Sequence, residues 1–291
     1  MRILATLLRL EKARRGIDPR RLCFIGMADT ASYWWCAQKS LFESRHMEEG
    51  FFGAYLEDRI NCALKTGLIS RRPRGDAELL AVAAKPTIEE RERLFKVERP
   101  RKPYAGGMWV KDSSGRLHAV DKKFRREYLA GRIKVDFDGF DEDEPDDRAK
   151  SEAIMRGRAE QLFLSESYNT FRWHFNWRHY VVVGVPDGIT DQFVYEFKST
   201  KILHYQMPVA EVQADLYGYF FRRRHKRLQF HDIQHGKLLT VSGPVSRSNA
   251  QRTLRDFAAI DAGERPIAPK PWKCKRCEYL SVCPVSPLRG S

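Results

Sequence analysis

The sequence contains no apolar run that approaches the roughly 18 residues of a membrane span, and its hydrophobic fraction is an ordinary 42%. The opening MRILATLLRLEKARR has a short apolar stretch, but Arg2 and Glu11 interrupt it and no small-residue cleavage site follows. This segment reads as an amphipathic helix or strand rather than an export signal, and the chain is expected to be cytoplasmic, with no membrane partner. Internal repeats and low-complexity tracts are missing as well, so nothing suggests a repeat array or a biased tail. Acidic residues are in short supply: 38 Asp and Glu stand against 52 Lys and Arg, leaving a net charge of +14.

The basic excess comes in clusters, at Arg71 to Arg74, Arg99 to Lys102, Lys122 to Arg126 and Arg222 to Arg227. Clustered cations are the footprint of a phosphate-backbone binder; the plainer alternative is a surface that serves solubility alone. One segment runs the other way, since Asp136 to Asp147 is strongly acidic and reads as a solvated loop. A reduced intracellular chain with six cysteines, three of them crowded between 274 and 283, suggests metal rather than disulfides.

With 291 residues the chain can bury a real core, as one elaborated domain or two small ones. Residues 1–68 read as mainly helical with an aromatic patch at Tyr33, Trp34 and Trp35, and 69–147 as an insertion that is partly ordered at best. A helix is expected over 149–165, then strands over Thr170–Arg178, Tyr180–Ile189 and Gln192–Ser199. A helix over about 208–224, a strand pair over 227–242 and a helix over 247–261 complete an α/β core spanning 148–265. A Pro- and Cys-rich tail, 266–291, ends what we read as one domain.

The second strand ends in a carboxylate, Asp187, and nine residues on Glu196-Phe197-Lys198 lies in the next. Side chains alternate along a strand, so Glu196 and Lys198 share one face while Tyr195 and Phe197 take the other. If the strands pair as a hairpin, Asp187 and Glu196 converge beside one lysine. Two carboxylates supply hard oxygen ligands for Mg²⁺ or Mn²⁺, and a bound cation lowers the pKa of water and neutralises charge on a scissile phosphate. A lysine there orients water or stabilises the transition state. The plain reading is that Pro186-Asp187-Gly188 only shapes a bend and that Glu196 and Lys198 form a solvated face. The following helix adds Gln213 and Tyr217, one turn apart, placed to hydrogen-bond the lysine or a DNA strand.

Gly184-x-x-Asp187, Glu196-x-Lys198 and Gln213-x-x-x-Tyr217 together resemble the motif set of RecB-like PD-(D/E)xK nucleases. The resemblance spans Val181 to Tyr217. It implies a restriction-endonuclease-like core, a mixed central sheet flanked by helices, and metal-dependent hydrolysis of DNA, with single strands or ends favoured and exonuclease action more so than endonuclease. It assigns Asp187 and Glu196 to the metal, joined by the backbone carbonyl of Phe197.

Cys274, Cys277 and Cys283 follow C-x₂-C-x₅-C spacing, and Cys36 is the best candidate for a fourth ligand. Zinc is the default partner of four cysteines. One upstream cysteine and three after the core, however, resemble the iron–sulfur subset of the family, which includes the CRISPR-associated RecB-like exonucleases, and imply a [4Fe–4S] cluster joining the N- and C-terminal segments. Closing so long a loop gives such a site a structural role. Cys23 and Cys62 read as small hydrophobes.

The family usually carries a metal-binding histidine in a G-x₃-H setting before the core. Here Gly53-x₃-Glu57 has the spacing with glutamate in its place, and Glu160 is a second candidate. DNA is the expected partner, with a helicase or CRISPR integrase-type protein beside it. The competing account is a catalytically impaired subunit, stapled by a cluster or by zinc, that binds nucleic acid within a larger complex.

Overall fold

The computed structural model describes residues 2–83, 109–135, 148–275 and 277–288. Its architecture is mixed α/β, with several sheets covered by helices and no closed barrel among the described residues.

Helix α1 (Arg2–Arg14) precedes strand β1 (Phe24–Gly26), the short helix α2 (Met27–Ala31) and the long helix α3 (Ala37–Lys65). Helix α4 (Asp76–Ala83) packs on α3. Strands β2 (Trp109–Lys111) and β3 (Leu117–Ala119) form a hairpin, followed by α5 (Lys122–Leu129), whose N-cap Asp121 accepts from the Phe124 N–H at 2.7 Å. So the stretch expected to be a partly ordered insertion contributes a helix that buries Phe124 against Phe163, Tyr195 and Phe197. The basic cluster at 99–102 and the acidic run 136–147 lie outside the described residues.

The remaining chain builds two sheets. In the first, β5 (Tyr180–Gly184) runs between β1, its parallel neighbour, and β4 (Trp173–Trp177), its antiparallel one. Every residue of β5 is buried, as a strand covered on both faces must be. The second sheet has the order β6 (Gly188–Ile189), β7 (Phe193–Thr200), β8 (His225–Asp232), β9 (Lys237–Pro244). Here β7 and β8 are parallel, joined by the crossover helix α7 (Leu203–Phe220), and the outer pairs are antiparallel.

Helices α7 and α8 (Arg247–Asp261) supply Ala214, Leu216, Leu254 and Phe257 to one core face, against Val182, Val194 and Leu228. The opposite face of β7 takes Phe163 from α6 (Arg148–Leu164). Phe163 is fully buried, and truncating such a ring to alanine costs about 3–5 kcal/mol.

Two boundaries differ from the sequence expectation. The strand expected over 180–189 is broken at 185–187, where Pro186 cannot donate to a ladder, and the chain passes there from the first sheet to the second. The helix expected from 208 begins at Leu203, so Pro208 lies inside it rather than at its start. No helix among the described residues is long and apolar enough to cross a membrane.

Candidate active site

Asp187 occupies the break between the two sheets. Its Oδ2 accepts from the backbone N–H of Phe197 at 2.8 Å, and its Oδ1 accepts from Gln161 Nε2 at 2.5 Å. Gly188 follows because there is no room for more: a Cβ there would lie 2.5 Å from the Cβ of Tyr168. Strand β6 pairs Gly188 with Tyr195, which brings Asp187 level with Glu196 and Phe197.

The alternation along β7 is as the sequence indicates. Tyr195 and Phe197 enter the core shared with Phe163, while Glu196 and Lys198 form an ion pair of 2.7 Å on the other face. The Glu196 side chain is only 2% exposed and that of Lys198 29%, so the pair points from the interior toward solvent. Gln213 Nε2 donates to the same Glu196 Oε1 at 2.7 Å and also to the Tyr217 hydroxyl at 3.1 Å. Tyr217 in turn donates to the Val185 carbonyl at 3.0 Å, which fastens the 185–187 break to α7. Gln213 and Tyr217 therefore hold Glu196 and the Asp187 segment. They are buried, and neither is bonded to Lys198, contrary to the expectation that they orient the lysine or meet DNA.

One atom in this group has no partner. Glu196 Oε2 is buried and receives no hydrogen bond. Burial and the neighbouring charge of Asp187 push the Glu196 carboxyl up to about 8, against the weaker pull of Lys198. Asp187 is raised too, by burial above all. Burial would lower Lys198, but the charges of Glu196 and Asp187 hold its ammonium above the ordinary lysine value. Two acids thus stand beside a single local cation, which falls short of balancing both.

The two glutamates proposed for the histidine's place are elsewhere. Glu57 is on the exposed face of α3, paired with Arg72 at 3.2 Å. Glu160 faces the far side of β7, where it accepts from Tyr128 (2.5 Å), His231 (2.8 Å) and Ser199. Its neighbour Gln161 reaches the site instead, because adjacent helix residues point about 100° apart. A second group absent from the sequence reading is Asp29 on α2, raised to about 6 by burial and by Glu43. Its charge, after those of Glu196 and Asp187, helps push the Tyr217 hydroxyl well above 10, which burial drives first. Neither Gln161 nor Asp29 belongs to a spaced pattern that could have marked it.

The cysteines gather as well. Cys36 caps α3, Cys274 ends the short helix α9 (Pro271–Cys274), and the Cys277 N–H donates to the Cys274 carbonyl at 3.0 Å. Together with Cys283 they line one cavity of about 480 Å³. All six cysteines are free thiols. Burial raises the Cys36 thiol, the backbone N–H groups of Lys39 and Gln38 counter it, and Cys283 and Cys277 are close enough to add to the rise. Among the described residues, no group of three or more His, Cys, Asp or Glu side chains stands ready-made to hold a metal ion. The sulfurs border a shared space rather than a closed tetrahedron.

The tail is clamped over that space by other contacts. Lys273 donates to the Trp35 carbonyl at 2.7 Å, and Trp272 packs on Trp35 and Tyr205 with centroids 5.4 and 5.0 Å away. Lys39 bridges to Glu278 at 3.4 Å. A second cavity of about 410 Å³ adjoins the first, sharing Trp35, Lys39, Ile202 and Tyr205, and reaches Thr200 two residues beyond Lys198. These four shared residues thus stand between the end of β7 and the cysteines.

Comparison with protein-family models and with curated proteins gives no match. Among solved structures, one described as "Crystal structure of SSO0001" is similar at 18% identity and a TM-score of 0.33, over 48% of this chain and 79% of that one.

Proposed function

We propose that this chain is a divalent-metal-dependent deoxyribonuclease of the RecB-like PD-(D/E)xK type, built on a restriction-endonuclease-like core. The observation that carries the reading is the unpartnered, buried Glu196 Oε2 beside Asp187 and Lys198. A buried carboxylate oxygen without a donor is costly, and two adjacent acids with raised pKa values suit an Mg²⁺ or Mn²⁺ ion. Asp187 and Glu196 would hold that ion, with the Phe197 carbonyl as a further oxygen. When bound, it would supply charge neutralisation and an acidified water at the scissile phosphate.

The chain's own residues do the rest. Gln213 fixes Glu196 Oε1, Gln161 and the Phe197 N–H fix Asp187, and Tyr217 holds the break that presents it. Lys198, protonated and partly exposed, steadies the incoming water and the developing charge on phosphate. The net charge of +14 favours a polyanionic substrate. Single strands or ends, and exonuclease action, follow from the family resemblance.

The four cysteines suit a [4Fe–4S] cluster: they are free, they line one cavity, and that cavity is roomier than a single ion needs. Such a cluster would tie α3 to the tail. A helicase or CRISPR integrase-type partner, with a cytoplasmic role in DNA repair, recombination or CRISPR adaptation, is part of the same reading. The rival, a cluster- or zinc-stapled binding subunit without catalysis, is favoured by one observation: Glu57 pairs with Arg72 on an exposed helix face, and Glu160 is hydrogen-bonded to His231 on the far side of β7. Incubating linear and supercoiled DNA with anaerobically purified protein separates the two. Degradation with Mn²⁺ or Mg²⁺ that EDTA abolishes supports the nuclease, and intact DNA from brown, folded protein supports the subunit.

A further inference from the structure

Among the described residues, two arginines have the left-handed backbone that glycine normally supplies. Arg222 (φ 54°) follows α7 at the position where a Schellman cap places glycine, and the Arg223 N–H closes the motif onto the Gly218 carbonyl at 2.8 Å. Arg178 (φ 53°) is the first residue of the two-residue loop between β4 and β5, again a glycine position. Left-handed backbone is strained for a residue with a Cβ, so an arginine at both turns points to a use for its side chain.

Arg222 lines a groove, and the Arg178 turn adjoins it through Trp177. A cavity of about 430 Å³ is lined by Phe175, Trp177, Tyr219, Phe220, Arg222 and Arg247, together with Asn176. Phe175 and Phe220 are buried at its base, Trp177 and Tyr219 are half-buried, and both arginines are exposed. The Arg178 guanidinium lies over the Trp177 ring, 4.7 Å from its centroid, and Tyr180 stacks on the same ring at 5.9 Å, so Trp177 is a wall of the groove rather than an open platform. No lining side chain is acidic, and Arg178, Arg222 and Arg247 form no ion pair with a carboxylate among the described residues. The groove is at the far end of β5 from Asp187, roughly 20 Å of extended chain away.

We propose that this groove is a second contact for single-stranded DNA, in which a base packs on the half-buried Tyr219 ring against the Trp177 wall while Arg222 and Arg247 bind phosphates. A half-buried aromatic ring edged by guanidiniums that have no carboxylate partner is the chemistry of a sequence-tolerant single-strand site. The occupant rests on the nucleic-acid reading above, but the site does not depend on the cleavage chemistry. It holds the strand away from the acid pair, so an oligonucleotide must be long enough to span both.

The test is binding of dT oligonucleotides in EDTA across a salt series, comparing the wild-type chain with Arg222→Gly, Arg247→Gln and the double variant. Glycine suits the left-handed position, so Arg222→Gly should melt no lower than wild type while binding more weakly. Each lost phosphate contact should flatten the slope of log K against log salt by about 0.7. Unchanged affinity and slope in the double variant would overturn the proposal. So would a loss of affinity that tracks a lower melting temperature, which would make the arginines structural. A wild-type chain that binds no oligonucleotide would sink the nucleic-acid reading itself. Binding without cleavage would leave this site standing and the nuclease reading in difficulty.

Discussion

The backbone N–H of Phe197 donates to Asp187 Oδ2 at 2.8 Å, so the carboxylate at the sheet break is fastened to the same strand that carries Glu196 and Lys198. Gln161 takes the other oxygen. The acid pair is therefore aligned by protein groups alone.

Gln161→Ala should loosen that alignment without removing a ligand. Groups that orient metal-binding side chains typically change affinity or activity by about 10–100-fold. Titrating Mn²⁺ against cleavage rate should show a rightward shift of that size, with the melting temperature nearly unchanged.

Glu57→Ala should leave cleavage within twofold of wild type. Its ion pair with Arg72 is solvent-exposed, and such pairs contribute about 0–1 kcal/mol. A large loss of activity would put Glu57 back among the metal ligands.

Glu160→Gln should act on stability and through pH. Burial opposes ionisation of Glu160, but hydrogen bonds from His231, Ser199 and Tyr128 overcome it and hold the carboxyl below its ordinary 4.5. A depressed folded value means the stabilisation is complete above pH 4.5 and is lost as pH falls through the lower, folded value. Charged hydrogen bonds of this kind contribute about 1.5–3 kcal/mol. The wild-type advantage in thermal unfolding should be largest near neutrality and shrink in acid. A difference independent of pH would contradict the assignment.

Substituting Cys36, Cys274, Cys277 or Cys283 with serine should lower iron content and visible absorbance together and reduce the melting temperature. Cys62→Ser should do neither, since Cys62 is not among the residues lining the shared cavity. Colourless wild-type protein carrying one zinc would replace the cluster with the simpler staple.

What the sequence made legible was whatever depends on local period or spacing. Glu196 and Lys198 share a face because strands alternate, and C-x₂-C makes a turn wherever it occurs. The break after Gly184 was less visible, because Pro186 could be read either as a bend or as the end of a long strand. Gln161 carries no spacing signal; it reaches Asp187 through helix packing that only the assembled fold determines. Glu57 fits the family spacing, yet its helix turns it outward. Position in a motif did not specify the direction of the side chain. Helical spacing puts Gln213 and Tyr217 on one face, but their bonds to Glu196 and to the Val185 carbonyl are set by tertiary packing.

The most direct measurement is single-turnover cleavage of end-labelled single- and double-stranded DNA with Mn²⁺, comparing wild type, Glu196→Gln and Lys198→Ala. The account predicts metal-dependent cleavage by wild type and a fall of about 10²–10³ in each variant, with DNA binding retained. Cleavage that persists undiminished in both variants would show that the acid–lysine group at the sheet break is not where the chemistry occurs.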